Sequence, residues 1–199
     1  MKHFIHQVSA GLCFIICGAA CGDSSIPSPV FKVVQSAGYT SAGEASAMVK
    51  MPDGSYVLRV YDDPSYDRES VVIVKDSELS VLEEARYPGE LMTIEPKDLD
   101  ADGFLDLIVS EVFEIGGGQS YWSIRVYIKE QDYQKAFEGK SATEPEFNDL
   151  TGDRTLELLT TVDSYGFGYR ASYWGILHRL RNSNYERMDI NYGDSLLIN

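Results

Sequence analysis

Residues 98–107 read Asp-Leu-Asp-Ala-Asp-Gly-Phe-Leu-Asp-Leu, placing carboxylates at Asp98, Asp100, Asp102 and Asp106. Such a set suits a hard divalent cation such as calcium, which takes roughly six to eight oxygens at about 2.3–2.6 Å. The four aspartates can supply four oxygens and the carbonyl of Phe104 a fifth. Gly103 sits where the chain must turn around an ion, and glycine reaches positive φ without steric cost. The first six positions match the start of an EF-hand loop, but its twelfth position, which needs a bidentate glutamate, is Val109. After Asp106 the chain continues as Leu107-Ile-Val109, apolar and β-branched, which predicts a strand rather than a helix. The expectation is a calcium loop feeding a β-strand. The competing reading is an acidic turn whose aspartates bond their own backbone, although four close carboxylates repel one another unless a cation is present.

The elements around this loop repeat. Asp149-Leu-Thr-Gly-Asp-Arg-Thr-Leu-Glu-Leu158 aligns with Asp98–Leu107 at an offset of 51 residues, and Tyr173-Trp-Gly-Ile176 aligns with Tyr121-Trp-Ser-Ile124 at 52. Thr151 replaces the second aspartate and Arg154 stands in place of the turn glycine, so the copy reads as a structural remnant in which Arg154 supplies the charge that calcium brings to the first. A third unit begins upstream at Asp53-Gly54, before Tyr56-Val-Leu-Arg-Val-Tyr61 and Ser70-Val-Val-Ile-Val-Lys75. Each unit predicts a meander of three or four antiparallel strands, whose last members fall near 79–85, 133–137 and 185–190. Residues 77–86 fit a short helix as well, and no longer segment carries a helical stripe. Periods near 50 residues point to blades or stacked sheets. Three units fall short of the four to eight blades of a typical closed propeller. The predicted fold class is therefore all-β, built from antiparallel repeats of about 50 residues, propeller-like or sandwich-like.

The chain's start sets its expected compartment. A weakly basic opening, Met-Lys-His, leads into an apolar run that ends Gly18-Ala-Ala20 before Cys21, which predicts a secretory signal peptide over 1–20. Removing it takes Cys13 and Cys17 away and leaves Cys21 as the remaining cysteine, so no internal disulfide can form. Small residues before such a cysteine resemble the bacterial lipoprotein processing site, although Gly18 stands where that pattern prefers leucine. The resemblance implies lipidation of Cys21 and attachment to a membrane through that lipid. Residues 21–29 then read as the lipidated cysteine and a polar tether, and 30–199 as a single β-repeat domain. With 17 basic against 31 acidic residues, the formal net charge is −14. That balance excludes nucleic acid as a partner and suits a divalent cation or a protein with a basic face.

Catalytic constellations are absent from the sequence. His178 is the one histidine beyond the predicted signal and lies in an alternating stretch, Ile176-Leu-His-Arg-Leu180, as a packed or exposed strand residue. No Gly-x-Ser-x-Gly elbow occurs, and the expectation is a protein without enzymatic activity. Two segments at matching places in the repeats carry residues suited to protein binding. Gly116-Gly-Gly118 gives backbone freedom, and Tyr165, Phe167, Tyr169 and Arg170 are types enriched at interface hot spots. The predicted partner-binding residues are Gly117, Gly118, Tyr165, Phe167, Tyr169 and Arg170.

The pattern Asp-x-Asp-x-Asp-Gly-x-x-Asp-Leu running into a strand resembles the FG-GAP and VCBS-type repeats of β-propellers and bacterial surface proteins. That resemblance implies calcium as cofactor, held by Asp98, Asp100, Asp102 and Asp106. A second resemblance, carried by Tyr165-Gly-Phe-Gly-Tyr169 beside the acidic loop, is to periplasmic lipoproteins that inhibit lysozyme-like enzymes, immunity proteins among them. Those inhibitors often carry Ser-Gly-x-x-Tyr, and here a tyrosine stands for the serine. The expected function is a calcium-binding, membrane-anchored extracytoplasmic binding protein. The alternative is a periplasmic inhibitor or immunity protein against a lysozyme-like peptidoglycan hydrolase.

Overall fold

The computed structural model describes residues 26–41, 48–62, 68–86, 91–116, 119–164 and 172–188. Cys21 and the six predicted partner-binding residues lie outside them, as does the segment read as a signal peptide. Strands form three antiparallel sheets, each from consecutive segments of chain. The first holds β1 (Tyr39–Ser41), β2 (Met48–Lys50), β3 (Tyr56–Asp62), β4 (Arg68–Lys75) and β5 (Glu78–Arg86). Here β1 and β2 share one edge of β3, in the order β1-β3-β4-β5. The second sheet runs β6 (Leu91–Lys97), β7 (Asp106–Gly116), β8 (Gln119–Lys129) and β9 (Tyr133–Ser141). The third runs β10 (Glu146–Asn148), β11 (Glu157–Ser164), β12 (Ser172–Arg181) and β13 (Asn184–Arg187). The expected all-β repeat architecture is thus present in its sandwich-like form, with no strand pairing between sheets among the described residues.

Alternation decides which face each strand buries. On β3, Val57 packs with Leu107, Val109 and Tyr127 of the second sheet in one core cluster. Its neighbours Leu58 and Val60 face the other way and pack on a helix. On β7, Leu107 faces the first sheet, while Ile108 joins Ile124, Val126, Leu158 and Tyr185 in a core shared with the third. The second sheet is therefore buried on both faces, which is why β7 reads as a continuous apolar run.

One local expectation fails and one open choice is decided. Residues 28–36, placed partly in the tether, form α1 (Ser28–Ser36), whose Val30 and Val34 cover Leu58, Val60, Val72 and Val74. Pro29 falls in its first turn, where the missing N–H costs nothing. Gly38, at φ +88°, ends it. Nine residues with four β-branched or aromatic members make a poor isolated helix, so packing on the first sheet forms it. The segment near 79–85 is a strand as expected, β5 (Glu78–Arg86), and the alternative helical reading of 77–86 does not hold. A two-residue turn with Asp76 at φ +56° pairs Lys75 with Glu78. Leu82 then bulges out of register between the pairs Val71–Glu83 and Val72–Val81, breaking the period-2 pattern.

Ile124, fully buried at the centre of the second core, has no room to be replaced. Ile124→Ala is expected to cost about 2–5 kcal/mol in urea unfolding. Val162→Ala, at a 41% exposed position, should change it by less than about 0.5 kcal/mol.

Candidate metal centre

The loop 98–105 joins β6 to β7 and is wound by its own aspartates. Gly103 N–H donates to Asp98 Oδ2 at 3.1 Å, Asp102 N–H to Asp100 Oδ1 at 3.2 Å and Phe104 N–H to Asp102 Oδ1 at 2.7 Å. Ala101 at φ +63° and Gly103 at +89° make the reversals that bring the carboxylates inward. Asp106, the first residue of β7, is fully buried. Its Oδ2 accepts Leu99 N–H and its Oδ1 accepts Lys129 N–H, both at 2.8 Å.

Three of the predicted ligands converge. Asp98, Asp100 and Asp106 each present a carboxylate oxygen, and the three atoms lie within 4.8 Å of one another, a group able to hold a metal ion. Asp98 Oδ1 is buried without a hydrogen-bond partner. Asp102 is not a member of this group, although its carboxyl lies beside that of Asp100, and it accepts the Phe104 amide; the Phe104 ring is turned to solvent. Burial, above all, pushes the Asp106 carboxyl up to about 6, against the lowering effect of its two N–H donors, and the charges of Asp100 and Asp102 add to the rise. Asp100 is also raised, first by burial and then by Asp102 and Asp98. The protein gathers negative charge here that its own groups do not neutralise.

The other two units supply an internal comparison. The turn Asp–X–Y, in which the Asp Oδ1 accepts the N–H two residues on, occurs as Asp53–Ser55, Asp102–Phe104 and Asp153–Thr155. Its middle residue has positive φ each time, as Gly54 (+85°), Gly103 (+89°) and Arg154 (+73°). The repeat extends further between the second and third units: Leu150 N–H donates to Glu157 as Leu99 N–H does to Asp106, and Arg154 N–H to Asp149 as Gly103 N–H does to Asp98. Arg154 thus keeps the glycine's backbone conformation, at a steric cost for a side-chain-bearing residue.

The units differ in the charge carried four residues after the turn aspartate. Continuing the hairpin registers by one residue sets Asp106 opposite Ile128 and Glu157 opposite Arg179. In the first unit the position is Val57, paired with Ile73. One pair is apolar, one is acid against cation, and the middle one is acid against isoleucine. Arg179 Nε lies 3.7 Å from Glu157 Oε1, and its Nη2 lies 2.6 Å from Asp153 Oδ2, which it holds below the usual carboxylate range. The internal counter-charge of the third loop is therefore Arg179, not Arg154 as the sequence led us to expect. In the first unit Ser55, through its hydroxyl and amide, and then Lys75 hold Asp53 down to about 2.

Sequence reasoning missed Arg179 because its position is defined across a hairpin. The signal was available in the alternation of Leu177-His-Arg-Leu180 once β12 is registered on β11. His178, on the opposite face, is a packed strand residue as expected, half-buried with its ring edge-on to Phe137 at 4.9 Å. Burial lowers its pKa. The glycine- and tyrosine-rich partner segments follow the far ends of β7 and β11, opposite the ends that the acidic loops enter. No family model, curated protein or solved structure matches this chain.

Replacing Arg179 by alanine leaves the buried Glu157 facing no cation. It is expected to cost about 1–2 kcal/mol in urea unfolding, with calcium or with chelator alike. A second expectation concerns pH. Asp106 titrates near 6 when folded and near 4 when unfolded. In chelator its contribution to stability is therefore full below about pH 4 and lost as the pH rises through 6. A bound cation needs the ionised form, so metal affinity measured by isothermal titration should fall as the pH drops below about 6.

Proposed function

We propose that the loop 98–105 binds calcium and that the chain is a non-enzymatic, lipid-anchored extracytoplasmic binding protein of the FG-GAP or VCBS kind. The observation that carries the calcium reading is the unbalanced middle pair. Among three copies of one turn, the one whose buried acid faces Ile128 is the one with three converging carboxylates and a buried oxygen that has no partner. An all-oxygen donor set suits calcium better than the softer transition metals. Asp98, Asp100 and Asp106 would hold the ion, joined by Asp102, by the Phe104 carbonyl or by water to reach its usual coordination number. The ion supplies charge and rigidity, with no chemistry of its own. The chain's part is mechanical: Asp106 ties Leu99 on one side and Lys129 on the other. Leu99 O in turn accepts the N–H of Leu156 at 2.8 Å, joining the two loops.

Recognition, in this reading, belongs to the segments around Gly117 and Tyr165–Arg170, which follow β7 and β11 in sequence. The acidic net charge supports a partner with a basic surface, such as a peptidoglycan hydrolase.

Calcium at a hundredfold excess over its Kd should raise stability by about 2.7 kcal/mol, read as a shift of the melting midpoint against chelator. Asp100→Asn should abolish that shift while leaving the midpoint in chelator unchanged or higher. A wild-type midpoint indifferent to calcium would refute the metal assignment.

A further inference from the structure

The contact between the first two sheets changes character along its length. Next to the acidic loops it is apolar, with Val57, Val71, Ile94 and Leu107. Towards the other end the same inward-facing positions carry charge. Arg59 on β3, Glu69 on β4 and Glu83 on β5 face Glu111 on β7 and Arg125 on β8, while β6 contributes Met92 and Ile94 to this face. Arg59 Nε meets Glu69 Oε2 at 2.6 Å and also lies over the Tyr61 ring. Arg125 reaches Glu83 at 2.6 Å across the sheets and Glu111 at 3.0 Å within its own. The Tyr127 hydroxyl donates to Glu83. Lys135 and Glu138 of β9 pair with each other at the solvent edge, within electrostatic reach of the layer.

Among the described residues this layer sets three buried carboxyl groups against two guanidinium groups. Glu69 and Glu111 are each 1% exposed, and each keeps one oxygen, Oε1, buried with no hydrogen-bond partner. A buried charge without a partner costs several kcal/mol, and such groups neutralise by taking up a proton instead. Glu83 has a neighbour for each oxygen, Arg125 Nε at 2.6 Å and the Tyr127 hydroxyl, although Arg125 makes no well-directed hydrogen bond there and burial raises this carboxyl as well. A metal ion is a poor occupant between two guanidinium groups, and these carboxylates do not form a ligand group of the kind seen at Asp98.

We infer that the layer between the first and second sheets is a proton-binding site centred on Glu69, and that proton uptake there strengthens the contact between the two sheets. Burial first, and the neighbouring Glu111 charge second among the raising effects, push the Glu69 carboxyl up to about 7, against the pull of Arg59. Glu69 holds its proton more tightly folded than unfolded, so its stabilising contribution is full below about pH 4.5 and is lost as the pH rises through 7. Above that, the described layer holds three carboxylates against two guanidinium groups, with Glu69 still paired to Arg59 but its Oε1 buried and unbonded.

The test is urea unfolding of the wild type and Glu69→Gln from pH 5 to 8.5 in chelator, where Asp106 contributes equally to both proteins. The ratio of their folding constants, wild type over variant, should fall by up to about tenfold per pH unit between about pH 5 and 7 and then level. A ratio that stays flat across that range overturns the proposal, because Glu69 would then be ionised throughout. Infrared difference spectra of the wild type with isotope-labelled glutamate decide the matter even if the variant does not fold. A protonated carboxyl band present at pH 6, retained in Glu83→Gln and gone by about pH 8.5, supports the site, and its absence at pH 6 or its loss in Glu83→Gln refutes it. In Glu111→Gln the same band should disappear at lower pH, a shift that a purely packing role for Glu69 would not produce.

Discussion

The middle of this molecule depends on one carboxylate placed where a hydrophobic residue would ordinarily stand. Asp106 is the first residue of β7, is fully buried, and accepts one amide from the loop before it and another from the strand beside it. Those two bonds fix where β6 turns into β7 and where β8 ends, and Leu99, held by the first of them, fills the core between the second and third sheets. An apolar side chain could pack here but would leave two buried N–H groups without acceptors, at about 1–3 kcal/mol each. The acid satisfies both and brings in a charge that must then be answered. The character of the loop is set by how that charge is met.

The three units meet it in three ways. The first avoids the charge with Val57 against Ile73. The third answers it from the facing strand with Arg179. The second leaves Ile128 opposite and turns the two further aspartates of the loop inward, where an external cation can serve all three. The backbone of the turn is kept through these changes, down to the left-handed residue at Gly54, Gly103 and Arg154. One scaffold thus carries a loop answered by its own cation and, beside it, a loop whose carboxylates could hold a metal ion.

The repeat, the strand-rich class and the acidic loop were legible in the sequence because each is written locally, in residues a few positions apart. Periodicity gave β3, β4, β7 and β8, whose alternation or apolar runs have one clear period. At β5 it left strand and short helix both open, because the bulge at Leu82 disrupts the alternation. It failed at α1, whose helical state is set by a sheet about 30 residues downstream and not by its own propensities. Within the site, Asp98, Asp100 and Asp106 could be named from spacing, but which of the four aspartates converge most closely depends on which way each side chain leaves a twisted turn. Arg179 and the ionic layer around Glu69 were invisible for a shared reason. Their partners lie across hairpins or across sheets, and a linear pattern does not record which residues a fold will set face to face.

The contiguity of the sheets has a consequence for how the chain reaches this structure. Each sheet draws its strands from one segment of about 40–50 residues, and among the described residues none borrows a strand from another. Most pairings are between neighbours in sequence, which keeps loop-closure entropy small and favours rapid, stepwise folding over a slow global search. A chain appearing from its N-terminus onward can complete the first sheet, with α1 on its back, before the second has been made. The second then has a finished surface to dock on, and its own far face stays exposed until the third arrives. The interval in which that apolar face is uncovered is the stage most open to misassociation, and the loop at Asp98 lies along its rim.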